Sequence, residues 1–203
     1  MMYSIHSQVE KKIKSKGRGA IVFPSDLKSL GNPDAVKMAL CRLAKEKVIV
    51  RLAQGIYLYP KIDPELGVLS ASIESIAEAI ARRDRARILP TGDFAMNRLG
   101  FSTQVPMNFV FLTDGSPRSV QIGRSTIKFK RSSPKHLTLK GKISSLVILG
   151  LESLGSQNVT PEIKQIVANA LRREEPKILA HDIQLASARV ARIMNETMTL
   201  MQK

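Results

Sequence analysis

Cysteine and tryptophan are almost absent from this chain of 203 residues, which has one cysteine, Cys41, and no tryptophan. A single cysteine excludes an internal disulfide framework and a zinc finger, and it favours a reducing compartment, so we expect a cytoplasmic protein. Without tryptophan, stacking of single-stranded bases would depend on six phenylalanines and three tyrosines. Long apolar runs and a signal-peptide core are also missing, so no membrane partner is expected.

Recognisable catalytic and metal-binding motifs are missing as well. The chain has no phosphate-binding glycine loop and no nucleophile elbow. Its three histidines lack the spacing of a metal site; they are His6, His136 and His181. Asp93 and Asp114 are an alternative carboxylate pair, but a helix cap and a turn residue explain them more simply. We therefore predict no catalytic residue, metal or cofactor, and keep a nucleic-acid-modifying enzyme with an unrecognised site in 82–142 as an alternative.

Acidic residues are few, and positive charge dominates: 32 Lys and Arg stand against 17 Asp and Glu, for a net charge of +15. The net charge is +7 over residues 1–60, −3 over 61–81, +10 over 82–142 and +1 over 143–203. An excess of this size favours a polyanionic partner such as nucleic acid, and solubilising surface charge is the alternative. The block 82–142 either contacts nucleic acid as well or is a solvated sheet face.

The first sixty residues have the element order of a winged helix-turn-helix. Apolar spacing, glycines and capping residues predict, in order, a helix from about Tyr3 to Lys16, a strand over 20–23, a helix capped by Ser25, a helix opened by Asn32 or Pro33, and two strands over 48–52 and 56–59. The stretch Ala53-Gln54-Gly55 reads as the hairpin turn between those strands. Such an order is typical of DNA-binding winged helices.

The third of these helices is the expected DNA reader. When its apolar residues point inward, a polar and basic set points outward. Cations on the flanks would grip phosphates, small or polar side chains would read base edges, and the hairpin would add contacts. The predicted DNA-binding residues are Asn32, Lys37, Met38, Cys41, Arg42, Lys45, Arg51 and Gln54. The alternative is a winged helix that contacts protein, with its cations merely solvated.

A mixed region and a helical tail follow. Pro60, Asp63 and Pro64 predict a linker, which gives a head over residues 1–62 and a second domain over 63–203. In the second domain the pattern predicts helices near 73–80 and 94–99, strands over 87–89 and 109–112, a hairpin around Gly123-Arg124, and tail helices over about 143–154, 161–173 and 181–201. The fold class is therefore α+β. A second basic surface is predicted at Arg118, Arg124, Lys128, Lys130 and Arg131.

Two sets of residues resemble a known family. The first set lies in the head and comprises Ala39-Leu40-Cys41-Arg42-Leu43, Val48-Ile49-Val50-Arg51-Leu52 and Gln54-Gly55-Ile56-Tyr57. The second set comprises Leu89-Pro90-Thr91-Gly92-Asp93, Asn97-Arg98-Leu99-Gly100, Gln104-Val105-Pro106 and Leu112-Thr113-Asp114-Gly115. Together they are similar to the AbiEi-type antitoxins of abortive-infection toxin–antitoxin systems, over most of residues 1–155.

The resemblance implies a bacterial protein with two functions. Its head would bind the promoter of its own operon and repress it, and its second region would oppose a toxin of nucleotidyltransferase type, without the need for a stable complex. The expected partners are double-stranded operator DNA with repeated half-sites, bound by a homodimer, and the toxin as a functional partner. A plain winged-helix regulator without a toxin is the alternative.

Overall fold

Glycines and capping residues divide the chain into short helices and strands of an α+β protein. The computed structural model describes residues 4–104, 106–132, 134–155 and 158–201. They form two compact units, one of residues 1–80 with 121–123 and one of residues 81–120 with 124–203. The sequence placed a boundary at 62/63, and that boundary stays a prediction.

The first unit combines helices with two small sheets. Its elements are α1 (Ile5–Ser15), β1 (Ile21–Val22), a 3₁₀ helix (Pro24–Leu30), α2 (Pro33–Lys45), β2 (Val50–Ala53), β3 (Ile56–Leu58), β4 (Lys61–Asp63), β5 (Gly67–Leu69) and most of α3 (Ile73–Asp84). One sheet has the order β1-β3-β2, and β4 pairs with β5 in the other. Both sheets are antiparallel.

The core of this unit explains why these segments become helices. Val9 and Ile13 of α1 are completely buried against Leu40 and Leu43 of α2, so apolar residues at helical spacing meet across the two helices. The first helix ends where predicted, because Gly17 and Gly19 adopt positive φ angles of 84° and 91°.

Two expectations for this unit were wrong. Ser25 does not cap the second helix: Phe23 occupies the N-cap position, and the Asp26 carboxylate accepts a hydrogen bond from the Phe23 backbone N–H at 3.3 Å. The predicted linker is the β4–β5 hairpin. The Oδ1 atom of Asp63 accepts hydrogen bonds from the backbone N–H groups of Glu65 and Leu66, both at 2.9 Å. Local bonds of this kind build a turn from residues that otherwise read as a linker.

The second unit begins with the last residues of α3 and combines a sheet with a helical cluster. Its elements are β6 (Ile88–Pro90), α4 (Gly92–Leu99), β7 (Asn108–Thr113), most of β8 (Arg118–Ile122), β9 (Ser125–Arg131), α5 (Pro134–Leu137), α6 (Lys142–Leu154), α7 (Pro161–Leu171), α8 (Pro176–Leu185) and α9 (Ala188–Met201). The sheet order is β6-β7-β9-β8, with β7 and β9 parallel. The predicted hairpin around Gly123-Arg124 is confirmed, since β8 and β9 are neighbours.

Aromatic residues join the sheet to α4. Phe94 packs edge-on against Phe109 with ring centroids 5.3 Å apart, and Phe111 stacks on Phe129 at 6.1 Å. The tail helices form a separate apolar cluster around Leu151. The predicted single helix over 181–201 was wrong, because the extended backbone of Ala186, with ψ 161°, separates α8 from α9.

Candidate nucleic-acid interface

The start of α2 is fixed by its own first residues. Asn32 is the N-cap, and its Oδ1 accepts a hydrogen bond from the Ala35 backbone N–H at 2.8 Å. Pro33 follows at the first helical position, where a missing N–H costs nothing. The predicted contact between Asn32 and DNA stays a prediction, and the structure places its side-chain oxygen in the cap.

The five predicted residues on α2 share one exposed face. Val36, Ala39, Leu40 and Leu43 are buried, and this fixes the rotation of the helix. All five outward side chains are exposed to solvent; they are Lys37, Met38, Cys41, Arg42 and Lys45. At 3.6 residues per turn these positions span an arc of roughly 140°. Apolar Met38, with 55% of its surface exposed, and Cys41 lie within this arc among three cations.

The β2–β3 hairpin lies directly after α2 in the chain and adds two polar side chains. Arg51 and Gln54 are both exposed. Gly55 has a positive φ of 71°, which the tight turn requires and which glycine adopts without strain. The ladder shifts register between Arg51 and Ala53, and such an irregularity twists the hairpin.

Lys47 was missed by the sequence analysis. It lies between α2 and β2, is exposed, and has a φ of 59°. That left-handed conformation ends the helix and directs the chain into β2, since Val48 and Ile49 donate their backbone N–H groups to the Leu43 carbonyl. The three charged residues Lys45-Glu46-Lys47 directly after the apolar stripe were the available signal.

The cations around α2, like Lys11 and Lys12 of α1, have no acidic partner among the described residues, whereas three other cations on and after α1 are engaged. Lys14 pairs with Glu10 at 2.6 Å, Lys16 pairs with Asp26 at 3.4 Å, and Arg18 lies over the Tyr59 ring and donates to the Pro60 carbonyl. The cations around α2 form no salt bridge with an acid in the described part of the chain. They are Lys37, Arg42, Lys45, Lys47 and Arg51. These side chains are available to a phosphate backbone.

The second predicted basic surface is divided by the sheet. Ile127 and Phe129 of β9 are buried, whereas Lys128 and Lys130 alternate with them and lie on the opposite face. Arg124 is exposed in the turn before β9, and Arg131 is exposed at its end.

Arg118 is held apart from those cations. It forms an ion pair with Asp84 and lies over the Phe129 ring at 5.4 Å. Burial, followed by the nearby charge of Arg83, lowers the pKa of Arg118. Arg118 therefore stabilises the buried side of the sheet, and the outward pair Lys128 and Lys130 is the continuous part of the predicted surface.

The second unit also contains a buried carboxylate network at the start of α6. Asp182 has no exposed surface and accepts hydrogen bonds from the backbone N–H groups of Lys140 and Gly141 and from the Ser144 hydroxyl at 2.5 Å. Glu174 accepts from the Ile143 and Ser144 backbone N–H groups. The two carboxylates therefore satisfy the unpaired N–H groups at this helix end.

Burial alone would raise the pKa of Asp182. The hydrogen bonds from Ser144, Lys140, His181 and Gly141 outweigh the burial, so the pKa of Asp182 lies below its ordinary value. Asp182 is therefore ionised and fully engaged, which indicates a structural role for it.

Asp93 and Asp114 do not form a pair. The Oδ1 atom of Asp114 accepts a hydrogen bond from the Arg87 backbone N–H at 2.7 Å, and Asp93 lies in the first turn of α4. Within residues 4–104, 106–132, 134–155 and 158–201, no cluster of three or more His, Cys, Asp or Glu residues has the arrangement of a metal site. None of the described helices combines the length and apolar character needed to cross a membrane.

Comparison with known proteins gives a family and a distant similarity to solved structures. The profile of a family of unknown function, DUF6088, matches residues 8–179. A comparison with curated proteins found no match. Among solved structures, the chain is similar to the RV2827C protein from Mycobacterium tuberculosis, with 16% sequence identity and a TM-score of 0.48 over 97% of this chain and 82% of that one.

Proposed function

We propose that this chain, which belongs to the DUF6088 family of unknown function, binds double-stranded DNA through a winged helix-turn-helix and represses transcription of its own operon. The recognition helix is α2, the 3₁₀ helix precedes it across the turn at Gly31, and the β2–β3 hairpin is the wing. The alternative is a winged helix that binds protein. In that case the cations of α2 would only be solvated and would contact no partner.

The observation that carries this proposal is the group of unpaired cations around the exposed face of α2. The order of α1, β1, the 3₁₀ helix, α2, β2 and β3, with the sheet order β1-β3-β2, supports it because it leaves one face of α2 free of the sheet. A 13-residue helix is about 20 Å long and fits the major groove. Lys37, Arg42 and Lys45 then bind phosphates, and Met38 and Cys41 face base edges.

The salt dependence of binding tests this proposal. The triple variant Lys37→Ala, Arg42→Ala, Lys45→Ala should bind operator DNA more weakly. The slope of log K against log salt should also fall by about 0.9 for each lost phosphate contact, hence by about 2.7 for all three. Mobility-shift titrations of the full chain at several salt concentrations measure both quantities.

A matched control separates local contacts from total charge. The variant Lys11→Ala, Lys12→Ala, Arg172→Ala also removes two lysines and one arginine, but from exposed positions outside α2. It should keep most of the slope. Equal losses in the two variants would show that only the overall charge matters, and an unchanged slope in the α2 variant would remove α2 from the interface.

The antitoxin role is a second proposal and depends on the AbiEi resemblance. In it, the second unit opposes a nucleotidyltransferase-type toxin, and the outward Lys128 and Lys130 supply a cationic face for a polyanion or an acidic surface. A plain regulator without a toxin is the competing function. Co-expression with a neighbouring nucleotidyltransferase-like gene distinguishes them, because only an antitoxin restores growth.

A further inference from the structure

Exposed apolar side chains are concentrated in the β4–β5 hairpin. Among the described residues, seven large hydrophobic side chains are exposed, and four of them lie between residues 61 and 69: Ile62, Leu66, Val68 and Leu69. Leu66, at the turn, has 77% of its surface exposed. A group of this kind on an otherwise basic and polar protein marks an interaction surface.

The strand register places two of these side chains side by side. Ile62 and Val68 are directly paired across the ladder, so they project from the same face. Their exposed fractions are 59% and 58%. Lys61 and Asp63 alternate with Ile62 and therefore project from the other face. An alanine Cβ at Gly19 would lie 2.9 Å from the Lys61 Cε atom, so that second face turns toward the body of the unit.

The hairpin also has open edges. Within the ranges that the structure describes, β4 and β5 form a sheet of two strands, and no third strand pairs with either. Two-stranded hairpins are marginally stable in water, and unpaired edges readily add another strand.

We propose that β4 pairs edge to edge with β4 of a second copy of this chain, about a two-fold axis at Ile62. Antiparallel pairing on that axis sets Lys61 opposite Asp63 of the second copy, and Asp63 opposite Lys61. Every charged residue of β4 therefore meets its opposite charge, and Ile62 meets Ile62. The result is a four-stranded sheet with the order β5-β4-β4-β5 and an unbroken apolar row of Val68 and Ile62 from each copy.

The charge pattern favours pairing through β4 and not through β5, and it favours a second copy of this chain as the partner. Strand β5 (Gly67–Leu69) has no charged residue, so no charge pairs would fix the register of two β5 strands. Two strands of three residues can bury only a small interface, below the roughly 1,200 Å² at which specific stable interfaces begin. Pairing should therefore depend on protein concentration.

Disulfide trapping of the full chain in the absence of DNA tests the pairing. In a Cys41→Ser background, Ile62→Cys places two thiols opposite each other, at the 4.5–5.5 Å Cα separation of antiparallel pairs and within disulfide range. The matched control is Leu66→Cys, which is more exposed but would lie roughly 20 Å from its counterpart. Mild oxidation should cross-link Ile62→Cys at least roughly tenfold faster, because pairing raises the local thiol concentration.

Sedimentation over a concentration series gives an independent readout. The unsubstituted chain should show a monomer–dimer equilibrium that Ile62→Lys abolishes, while circular dichroism stays unchanged because Ile62 is exposed. Cross-linking of Leu66→Cys at an equal or higher rate would overturn the proposal, and so would a chain that sediments as a monomer throughout. Since no DNA is present, a chain that pairs but binds no operator would refute only the DNA-binding function.

Discussion

Asp182 is a residue at which one substitution should disturb a whole unit. Its carboxylate accepts hydrogen bonds from Lys140, Gly141, Ser144 and His181. In Asp182→Asn, the amide NH₂ would face the backbone N–H groups that the carboxylate now accepts from. Both sides would then be hydrogen-bond donors, and those N–H groups would lose their acceptor. We expect the free energy of unfolding to fall by about 2–4 kcal/mol. Denaturant unfolding measures this, and the exposed Asp93→Asn is the control, expected to change stability by less than about 0.5 kcal/mol.

The same carboxylate should make stability depend on acid pH. The pKa of Asp182 is lowered in the folded chain, so its contribution is present above the unfolded pKa of about 3.9 and is lost as pH falls through the lower folded pKa. Asp182→Asn resembles the protonated state. The stability difference between the parent chain and this variant should be constant above about pH 5 and shrink below about pH 4. A difference that stays constant to the acid end would contradict the lowered pKa.

Residues such as these also mark what the sequence could not reveal. Asp182 and Ser144 are 38 positions apart, and no local pattern connects a carboxylate to a helix start so distant in the chain. Lys37, Arg42 and Lys45 could be assigned to the exposed face of α2 because the apolar residues beside them fix the helix rotation. Lys47 was not predicted because its position depends on a left-handed backbone conformation, which lysine rarely adopts.

Helix α2 depends on its cap, and Asn32 tests this at the level of the element. Asn32→Ala removes the acceptor for the Ala35 N–H and should cost about 1 kcal/mol of folding stability, whereas Asn32→Ser keeps a capping oxygen and should cost a few tenths. Thermal or denaturant unfolding distinguishes them. If both variants lose the same stability, the cap is not the source. If Asn32→Ser keeps its stability but loses operator affinity, the amide contacts DNA directly.

Elements with a repeating apolar pattern were predicted well, and elements without one were not. Helices α1, α6 and α7 lie within two residues of the expected bounds and α2 begins where expected, because each has a buried stripe at helical spacing. The β4–β5 hairpin has three-residue strands whose apolar side chains face solvent, so alternation could not identify it. The break between α8 and α9 occurs without glycine or proline, where Ala186 packs into the helical cluster.

At the scale of the molecule, the proposed DNA-binding function implies an operator with repeated half-sites, because a single winged helix covers too few base pairs for specific binding. Footprinting of the upstream region at saturating protein should show two protected half-sites related by inverted or direct repetition. Ile62→Lys should require more protein to fill the second half-site while leaving the first unchanged. A single short protected half-site at saturation would contradict the repeated operator.

The two proposed functions should separate between the two units. The half-buried Lys128 and the exposed Lys130 lie on the face of β9 opposite Ile127 and Phe129 and pair with no acid among the residues described, whereas the proposed operator contacts lie on α2 of the first unit. The full-length variant Lys128→Glu, Lys130→Glu should therefore repress the promoter normally, as measured with a reporter, but fail to restore growth beside the cognate toxin. The control Arg172→Glu, Lys177→Glu makes the same change of charge at two other exposed positions, the C-cap of α7 and the start of α8, and should restore growth fully. Equal rescue by the two variants would show that the outward lysines only solvate the sheet, and a loss of repression in the first variant would extend the DNA footprint to the second unit.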